Sequence, residues 1–352
     1  MYTIHIDNRE IGPGHPVYMI AEIGVNHNGS VELAKKMIIA AKKSGAEAVK
    51  FQTFKAHRVV SRSAPKAAYQ LETTDPVESQ FDMLAKLELE DRDWAEIVAF
   101  CKKQEISFFS TPYGFEDADL LESLGVGAYK IASGQAVEID FLKHVGAKAK
   151  PVLLSTGMCD MAEAARAVEA IRSTGNEQLM VLQCTTNYPS QAADANLRAM
   201  VGMGAGLDVM YGYSDHTETL NTAIAAAALG ANAVERHFTL DKTMDGPDHS
   251  CSSSPDEFAD LVRCVREVEA CLGSPRKQPS EAEKRNAEGM RRSLFAGRDI
   301  AKDELFDWTN MIFKRPGTGI AGLEASTIPG RKAATDIRRG TMLDLSMIGK
   351  NQ

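Results

Sequence analysis

Gly212-Tyr-Ser-Asp-His-Thr217, then an Ala-rich run that stops at Gly230, then Ala233-Val-Glu-Arg-His237: the reading of this stretch decides the fold. His216 and His237 each sit just past a short apolar run, Val209–Tyr213 and Ala233–Val234. Between them, Thr217–Ala231 reads as one helix, with a Thr/Glu start, an Ala-rich body and a glycine stop. A strand–helix–strand unit brings the C-terminal ends of neighbouring parallel strands side by side. Two imidazoles separated by one such unit can therefore point at the same small volume. Beside Asp215, Asp241 and Asp248 they can hold a divalent metal with positions left open for substrate. The plainer reading of a histidine after a strand is a capping or hydrogen-bonding residue. Two of them at the same point of successive units weigh against it.

The same unit recurs along the chain. Short β-rich runs occur at Tyr18–Ile23, Ala48–Gln52, Ser107–Ser110, Ala128–Ala132, Pro151–Leu154, Leu179–Gln183, Val209–Tyr213 and Ala233–His237. Helical patterns lie between or after them at Ser30–Ser44, Arg92–Lys103, Glu116–Leu124, Met161–Thr174, Thr217–Leu229 and Pro255–Leu272. In the first, Leu33, Met37, Ile38 and Ala41 share a face; in the last, Ser254 caps, Pro255 opens the first turn, and Phe258, Leu261, Val262, Val265 and Val268 form the stripe. Eight strands alternating with helices predict an α/β chain, a (β/α)8 TIM barrel. A doubly wound open sheet is the alternative, but no Gly-x-Gly-x-x-Gly follows the first strand.

Around this frame, residues 2–18 read as a hairpin, with Tyr2-Thr-Ile-His-Ile alternating polar and apolar before Asp7-Asn8 and Gly12-Pro13-Gly14. Lys55–Glu90 is too long for a plain connection; it carries a helical pattern at Val77–Leu87 and reads as a lid. The barrel is thus expected over 1–272. Residues 273–288 are polar, with Pro275 and Pro279, and read as a linker. Residues 289–352 form a small β-rich domain of short runs, Ser293–Phe295, Met311–Phe313 and Met342–Leu345, between Gly-rich turns.

Composition excludes several classes. The chain of 352 residues is 44% hydrophobic and 25% charged, ordinary for a globular protein. No run of 18 or more apolar residues suggests a membrane span, and Met1-Tyr-Thr-Ile-His has no signal character. Six cysteines without C-x-x-C spacing fit a reducing cytoplasm better than a zinc cluster or a disulfide scaffold. A net charge of −8 argues against nucleic acid as partner.

In a barrel of this type the chemistry gathers at the C-terminal strand ends. There the sequence places Glu22, Lys50-Phe-Gln52, Ser110-Thr111, Lys130-Ile-Ala-Ser133-Gly134-Gln135, Ser155-Thr-Gly157, Asn187-Tyr188, Ser214-Asp215-His216 and Glu235-Arg-His237. Two lysines in strands too apolar for surface ammoniums, with hydroxyls and glycines beside them, suit a phosphate. Glu22 is the one carboxylate inside the first apolar run, either a buried acceptor or an acid/base. The residues alone describe a metal-assisted barrel enzyme acting on a small anionic, phosphorylated molecule.

The motifs Ala21-Glu-Ile-Gly-Val-Asn-His-Asn-Gly29, Lys50-Phe-Gln-Thr53, Tyr129-Lys-Ile-Ala-Ser-Gly134, Leu154-Ser-Thr-Gly-Met158, Tyr213-Ser-Asp-His216, Glu235-Arg-His-Phe-Thr-Leu240 and Gly246-Pro-Asp-His249 together resemble the sialic acid (N-acetylneuraminate) synthases and their legionaminate and pseudaminate relatives. Lys314-Arg-Pro-Gly-Thr-Gly-Ile320 resembles the antifreeze-like (SAF) domain that closes those enzymes. The resemblance implies condensation of phosphoenolpyruvate with an open-chain N-acetylated aldose, giving a nonulosonic acid and phosphate. It implies a divalent ion, Mn2+ or else Mg2+ or Co2+, on His216 and His237. It implies that Lys50, Lys130, Ser133, Ser155 and Ser214 hold phosphoenolpyruvate, that Thr111 and Gln135 lie among the substrate-binding residues, and that Glu22 does acid/base work. Gln52, Tyr188 and Asp248 would contact the sugar. Arg315 would reach its N-acetyl group from the neighbouring subunit of a domain-swapped homodimer. Gln135 departs from the acid that many members carry at that point, and an amide exchanges no proton at neutral pH. The strand-one motif is closer to the sialate and legionaminate branches than to the pseudaminate one. His249 and Cys251 are further candidates for the sugar pocket. Two rival readings remain, a Schiff-base lyase using Lys130 and a non-catalytic sugar-phosphate-binding paralogue.

Overall fold

The computed structural model describes residues 3–75 and 77–349. Eight parallel strands close into a barrel in sequence order: β1 Tyr18–Gly24, β2 Ala48–Thr53, β3 Ser107–Pro112, β4 Tyr129–Ile131, β5 Val152–Ser155, β6 Leu179–Cys184, β7 Met210–Asp215 and β8 Ala233–His237, which pairs back onto β1. Eight helices cover them: α1 Val31–Lys43, α2 Asp91–Lys103, α3 Phe115–Ser123, α4 Ile139–Gly146, α5 Met161–Arg172, α6 Leu197–Leu207, α7 Asn221–Ala228 and α8 Pro255–Leu272.

Period-two alternation sorts every strand. Along β1, Met19, Ala21 and Ile23 pack against the helices, while Tyr18 and Ile20 join the separate cluster inside the barrel. That inner cluster also holds Ala48, Phe109, Ala128, Leu153, Met180, Met210 and Ala233, all near strand beginnings. The hairpin strands Ile4–Ile6 and Arg9–Ile11 add Ile4, Ile6 and Ile11 to it, closing the N-terminal end with apolar side chains. Tyr2, which the sequence pattern included in this hairpin, lies outside the described residues. Two to four residues further along each inward face, the apolar layer gives way to a polar one: Glu22, Lys50, Thr111, Lys130, Ser155, Cys184, Ser214 and Glu235.

Four expectations change. The helix expected from Thr217 begins at Asn221. The Thr217 and Glu218 carbonyls are instead taken by Arg236 Nη2, at 2.7 and 3.2 Å, and Thr217 itself donates to Asp215. Helices α4 and α6 were not expected; α6 carries three glycines, poor helix formers. Gly204 is there for closeness, since a Cβ on it would lie 2.1 Å from the Tyr211 ring. The 273–288 stretch is more than a linker, because Ser280 and Glu283 form a reciprocal capping box that opens a helix at Glu281–Met290. Lastly, only two of the three tail runs pair as strands, Ser293–Ala296 with Met311–Lys314. Met342 makes a single bridge to Phe295, and Asp344 caps a 3-10 turn at Leu345–Met347.

The contacts divide the chain into two compact units, Met1–Gly273 and Ser274–Gln352. The second has its own core of Leu294, Ile300, Phe306, Met311, Ile328 and Leu343. Among the described residues, no helix is long and apolar enough to cross a membrane, and the six cysteines are all free thiols.

Candidate active site

At the C-terminal mouth of the barrel, Lys50 and Lys130 are both buried, as are Glu22 and Glu235. Lys50 Nζ lies 2.9 Å from Glu22 Oε1 and 3.4 Å from Glu235 Oε1, and Lys130 Nζ lies 3.5 Å from the same Glu235 oxygen. Thr111 accepts a further hydrogen bond from Lys50 at 3.2 Å, and Ser214 donates to Glu235 at 3.3 Å. Burying an ion costs several kcal/mol, and only partners at this range offset it. Each buried lysine therefore needs a carboxylate beside it, and Glu235 serves both.

Burial pushes the Glu22 carboxyl up to about 7, against the pull of Lys50. Burial acts the same way on Glu235, but Lys130 and Lys50 outweigh it and hold that carboxylate below its usual range. Lys50 is held high because Glu22 and Glu235 overcome its burial. Lys130, facing Glu235 alone among close carboxylates, is pulled down by burial. The site thus contains a carboxyl poised near neutrality beside a fixed carboxylate, the separation that acid/base chemistry requires.

These groups line a cavity of about 350 Å³ together with Gln52, Ser133, Gln135, Ser155, Tyr188, Ser214, His216 and His237. Asp248 lines an adjoining chamber that shares Gln52, Tyr188 and His237 with it. Thirteen of the fourteen residues that the family resemblance picks out are thereby gathered at one mouth. The exception is Arg315, exposed in the second unit, whose Nε donates to the Met290 carbonyl at 3.2 Å. Several polar atoms here are buried without a partner: Glu22 Oε2, Glu235 Oε2, Gln135 Oε1, Ser155 Oγ and His237 Nδ1. Such atoms cost about 1–3 kcal/mol each unless a ligand or water meets them. After β4, Ser133-Gly134-Gln135 turns as a 3-10 segment, and Ser133 Oγ accepts from Gly157 N at 2.9 Å. A Cβ on Gly157 would lie 2.3 Å from Thr186 Oγ1, so only glycine brings this backbone N–H so close.

The two imidazoles stand with ring centroids 5.4 Å apart, and Tyr188 packs on His216 at 4.1 Å. His216 Nδ1 donates to the Thr185 carbonyl at 2.8 Å, which leaves Nε2 as a lone pair. Burial, then His216, holds His237 far below the usual histidine value, so it is neutral and able to ligate. Asp248 Oδ2 lies 3.8 Å from His237 Nδ1, and burial lifts this carboxyl to about 6. Among the described residues, no group of three or more His, Cys, Asp or Glu side chains forms a ready cage. The pair suits an ion that takes two protein nitrogens and completes its shell from substrate and water.

Asp215 and Asp241, suggested by proximity in sequence, do not serve that site. Asp215 is buried in an ion pair with Arg236 and accepts from Thr217, while Asp241 caps an exposed turn at Thr243. His249 is bound to Thr239 Oγ1 at 2.7 Å and sits beside Asn28 at 3.4 Å, holding the loop. The Cys251 thiol donates to the Asp248 carbonyl. Gln135 uses its amide N–H on the Pro112 carbonyl at 3.0 Å, so it braces β3 against β4. Sequence reasoning gave no role to Glu235, Tyr113 or Cys184. The inward periodicity Ala233, Glu235, His237 pointed to the first. Cys184 Sγ lies 3.8 Å from His216 Nδ1, and although burial opposes it, His216 brings this thiol down to about 7.

Residues 37–277 match the model of the NeuB family, and residues 291–349 match the SAF domain. This chain belongs to the NeuB family. The N,N'-diacetyllegionaminic acid synthase of Campylobacter jejuni is 40% identical over 92% of this chain and 98% of its own length. The enzyme of the same name from Legionella pneumophila is 39% identical over 94% of each chain. The solved structure of the N-acetylneuraminic acid (sialic acid) synthetase of Leptospira borgpetersenii, in complex with citrate, superposes with a TM-score of 0.74 at 29% identity, over 82% of this chain and 95% of that one. The family resemblance of the strand-end motifs is borne out. This NeuB-family chain is an enzyme of nonulosonic acid synthesis.

Proposed function

We propose that the enzyme condenses phosphoenolpyruvate with an open-chain N-acetylated aldose, N-acetylmannosamine or a 2,4-diacetamido-trideoxy hexose, to give a nonulosonic acid and phosphate. The observation that carries this reading is the buried pair of ammoniums beside two imidazoles at one barrel mouth. Lys50 and Lys130, with Thr111, Ser133, Ser155 and Ser214, supply positive charge and donors for the phosphate and carboxylate of phosphoenolpyruvate. The alkene carbon C3 attacks the aldehyde carbon, forming the new C–C bond and leaving positive charge at C2. Water adds at C2, Glu22 takes its proton and passes it to the alkoxide left on the former aldehyde, and phosphate then leaves with the C2–O bond pair and takes the C2 hydroxyl proton, giving the 2-keto acid. Glu22, raised to about 7, is suited to that proton. His216 and His237 would hold a divalent ion, Mn2+ or else Mg2+ or Co2+, whose chemistry is Lewis-acid polarisation of the aldehyde oxygen. Gln52, Tyr188 and Asp248 face the sugar. We place Arg315 at the sugar's N-acetyl group across a domain-swapped homodimer, and the reaction in the cytoplasm, where free thiols persist.

One observation favours a second reading. Burial lowers Lys130, as an imine-forming lysine requires. Phosphate release from phosphoenolpyruvate, measured with aldose and Mn2+ or with a chelator, tests the first reading. Release that needs both aldose and metal is expected. Metal-independent turnover trapped by borohydride at Lys130 would replace it with the second.

A further inference from the structure

Asn26-His27-Asn28-Gly29 closes the β1 motif, yet none of the four lines the inner cavity or its adjoining chamber. Both asparagines reach instead to the run between β8 and α8, which carries Asp248 and contains neither helix nor strand. The Asp248 carboxylate stands 3.8 Å from His237 Nδ1, beyond hydrogen-bond range, and among the described residues no side chain donates to it. Its place is therefore set by the backbone on which it sits.

That backbone is held at both ends of 245–248. At the first end, Asn28 Nδ2 donates to the Asp245 carbonyl at 2.8 Å, while Asn28 Oδ1 lies 3.4 Å from His249 Nε2. At the other, Asn26 Nδ2 donates to Ser252 Oγ at 2.9 Å, and Ser252 Oγ donates in turn to the Asp248 carbonyl at 2.6 Å. The same Asn26 amide donates to the Phe238 carbonyl at 2.9 Å, which fixes the point where the run leaves β8. Asparagine suits both places. Asn26 is fully buried, so each N–H of its amide needs an acceptor, and each finds one. Asn28 has a φ of 48°, a left-handed conformation in which asparagine is enriched. Between the two holds, Thr73 of the 55–90 cover donates to the Pro247 carbonyl at 3.2 Å. A Cβ on Gly29 would lie 2.7 Å from the Lys86 carbonyl oxygen, so the cover closes on the same junction.

We propose that Asn26 and Asn28 are positioning residues that clamp 245–248 from both ends, so that Asp248 meets the aldose in one fixed place. This rests on the synthase reading above, which sets Asp248 at the sugar. Both asparagines act through Asp248 and touch no substrate themselves. The clamp serves the sugar side alone: among the described residues, no hydrogen bond joins it to Lys50 or Lys130.

The test compares full-length wild type, with Mn2+, to two variants. Asn28→Gly keeps the left-handed backbone and removes the amide. Ser252→Ala cuts the hold on Asp248 and leaves Asn26 its Phe238 partner. Hydrogen exchange at the amides of 241–252 is expected to quicken in both, with the barrel strands unmoved. The aldose KM, read with whichever of the two aldoses wild type uses, is expected to rise about tenfold, the size of one lost hydrogen bond. Phosphoenolpyruvate affinity, measured by calorimetry, is expected to stay as in wild type. Asn28→Gly placed on Asp248→Ala is expected to add no further loss of residual turnover, because the two act as one unit. Unchanged exchange overturns the clamp. An additive loss, or an equal weakening of phosphoenolpyruvate, overturns action through Asp248 and leaves the asparagines as general supports of the fold. Should Asn28→Gly not fold, Asn28→Asp keeps the shape, removes the donor and is held to the same outcomes. A wild type silent with both aldoses overturns the synthase reading and the kinetic half of this proposal, and exchange alone then decides the clamp.

Discussion

Glu22 and Glu235 are both buried carboxylates beside Lys50, yet replacing each by glutamine should move stability in opposite directions. Among the described residues, Glu235 is the only carboxylate paired with Lys130, at 3.5 Å, and it also faces Lys50 at 3.4 Å. At an effective dielectric near 20, a pair at that distance is worth about 5 kcal/mol of Coulomb energy. Breaking a buried pair costs about 3–5 kcal/mol because the orphaned charge stays buried. Glu235→Gln should therefore lower Tm by on the order of 10 °C. Glu22 is different, because Lys50 keeps Glu235 when Glu22 is lost. Its carboxyl rises from 4.5 to about 7, and at about 1.4 kcal/mol per tenfold its ionised form burdens the fold by up to about 3 kcal/mol. Glu22→Gln should be neutral or stabilising at pH 8 while activity falls by about 10²–10⁴-fold.

The pH dependence carries the sign. Between about 4.5 and 7 the unfolded chain has ionised this group while the folded one has not, so the unfolded state binds fewer protons and wild-type stability falls as pH rises. That contribution should be absent from Glu22→Gln. Urea unfolding of wild type and both variants at pH 5 and pH 8 measures all of this. Equal losses in the two variants, or a larger loss for Glu22→Gln at pH 8, would refute the account of the buried quartet.

Other outcomes follow from the same geometry. His216→Asn should lose retained Mn2+, as read by metal analysis of the purified protein, with little change in fold. Gln135→Glu should not raise activity, since it sets a carboxylate oxygen against the Pro112 carbonyl; a loss of about 1–3 kcal/mol in denaturation is expected. Mixing Arg315→Ala protein with Lys50→Ala protein should restore activity above either parent if each site takes its arginine from the other subunit. An unrestored mixture whose subunits demonstrably exchange would contradict that sharing.

Much of this was legible in the sequence because a barrel strand has a simple code. The inward positions of β1, β2, β4 and β8 run Tyr18-Ile20-Glu22, Ala48-Lys50, Ala128-Lys130 and Ala233-Glu235-His237, apolar below and charged above. That alternation, with Thr111, Ser155, Cys184 and Ser214 in the upper place on the other four strands, gives both the barrel and its mouth. What the sequence hid was set by contacts between distant residues. Nothing near Thr217 reveals that Arg236 will occupy its carbonyl and delay the helix to Asn221. Asp215 looks as good a ligand as Asp248 until Arg236 is seen beside it. Gln135 looked like a lost acid because its amide partner, Pro112, lies on another strand. The three glycines of α6 make it a weak helix by propensity, and closeness to Tyr211 accounts for one of them.

The most direct test of the central claim follows the bridging oxygen. Phosphoenolpyruvate labelled with 18O at the C2–O–P bridge, incubated with aldose, Mn2+ and the enzyme, should release phosphate carrying the label, in step with the keto acid formed. Label retained in the keto acid, or phosphate released at the same rate without aldose, would contradict water addition at C2 and the condensation built on it.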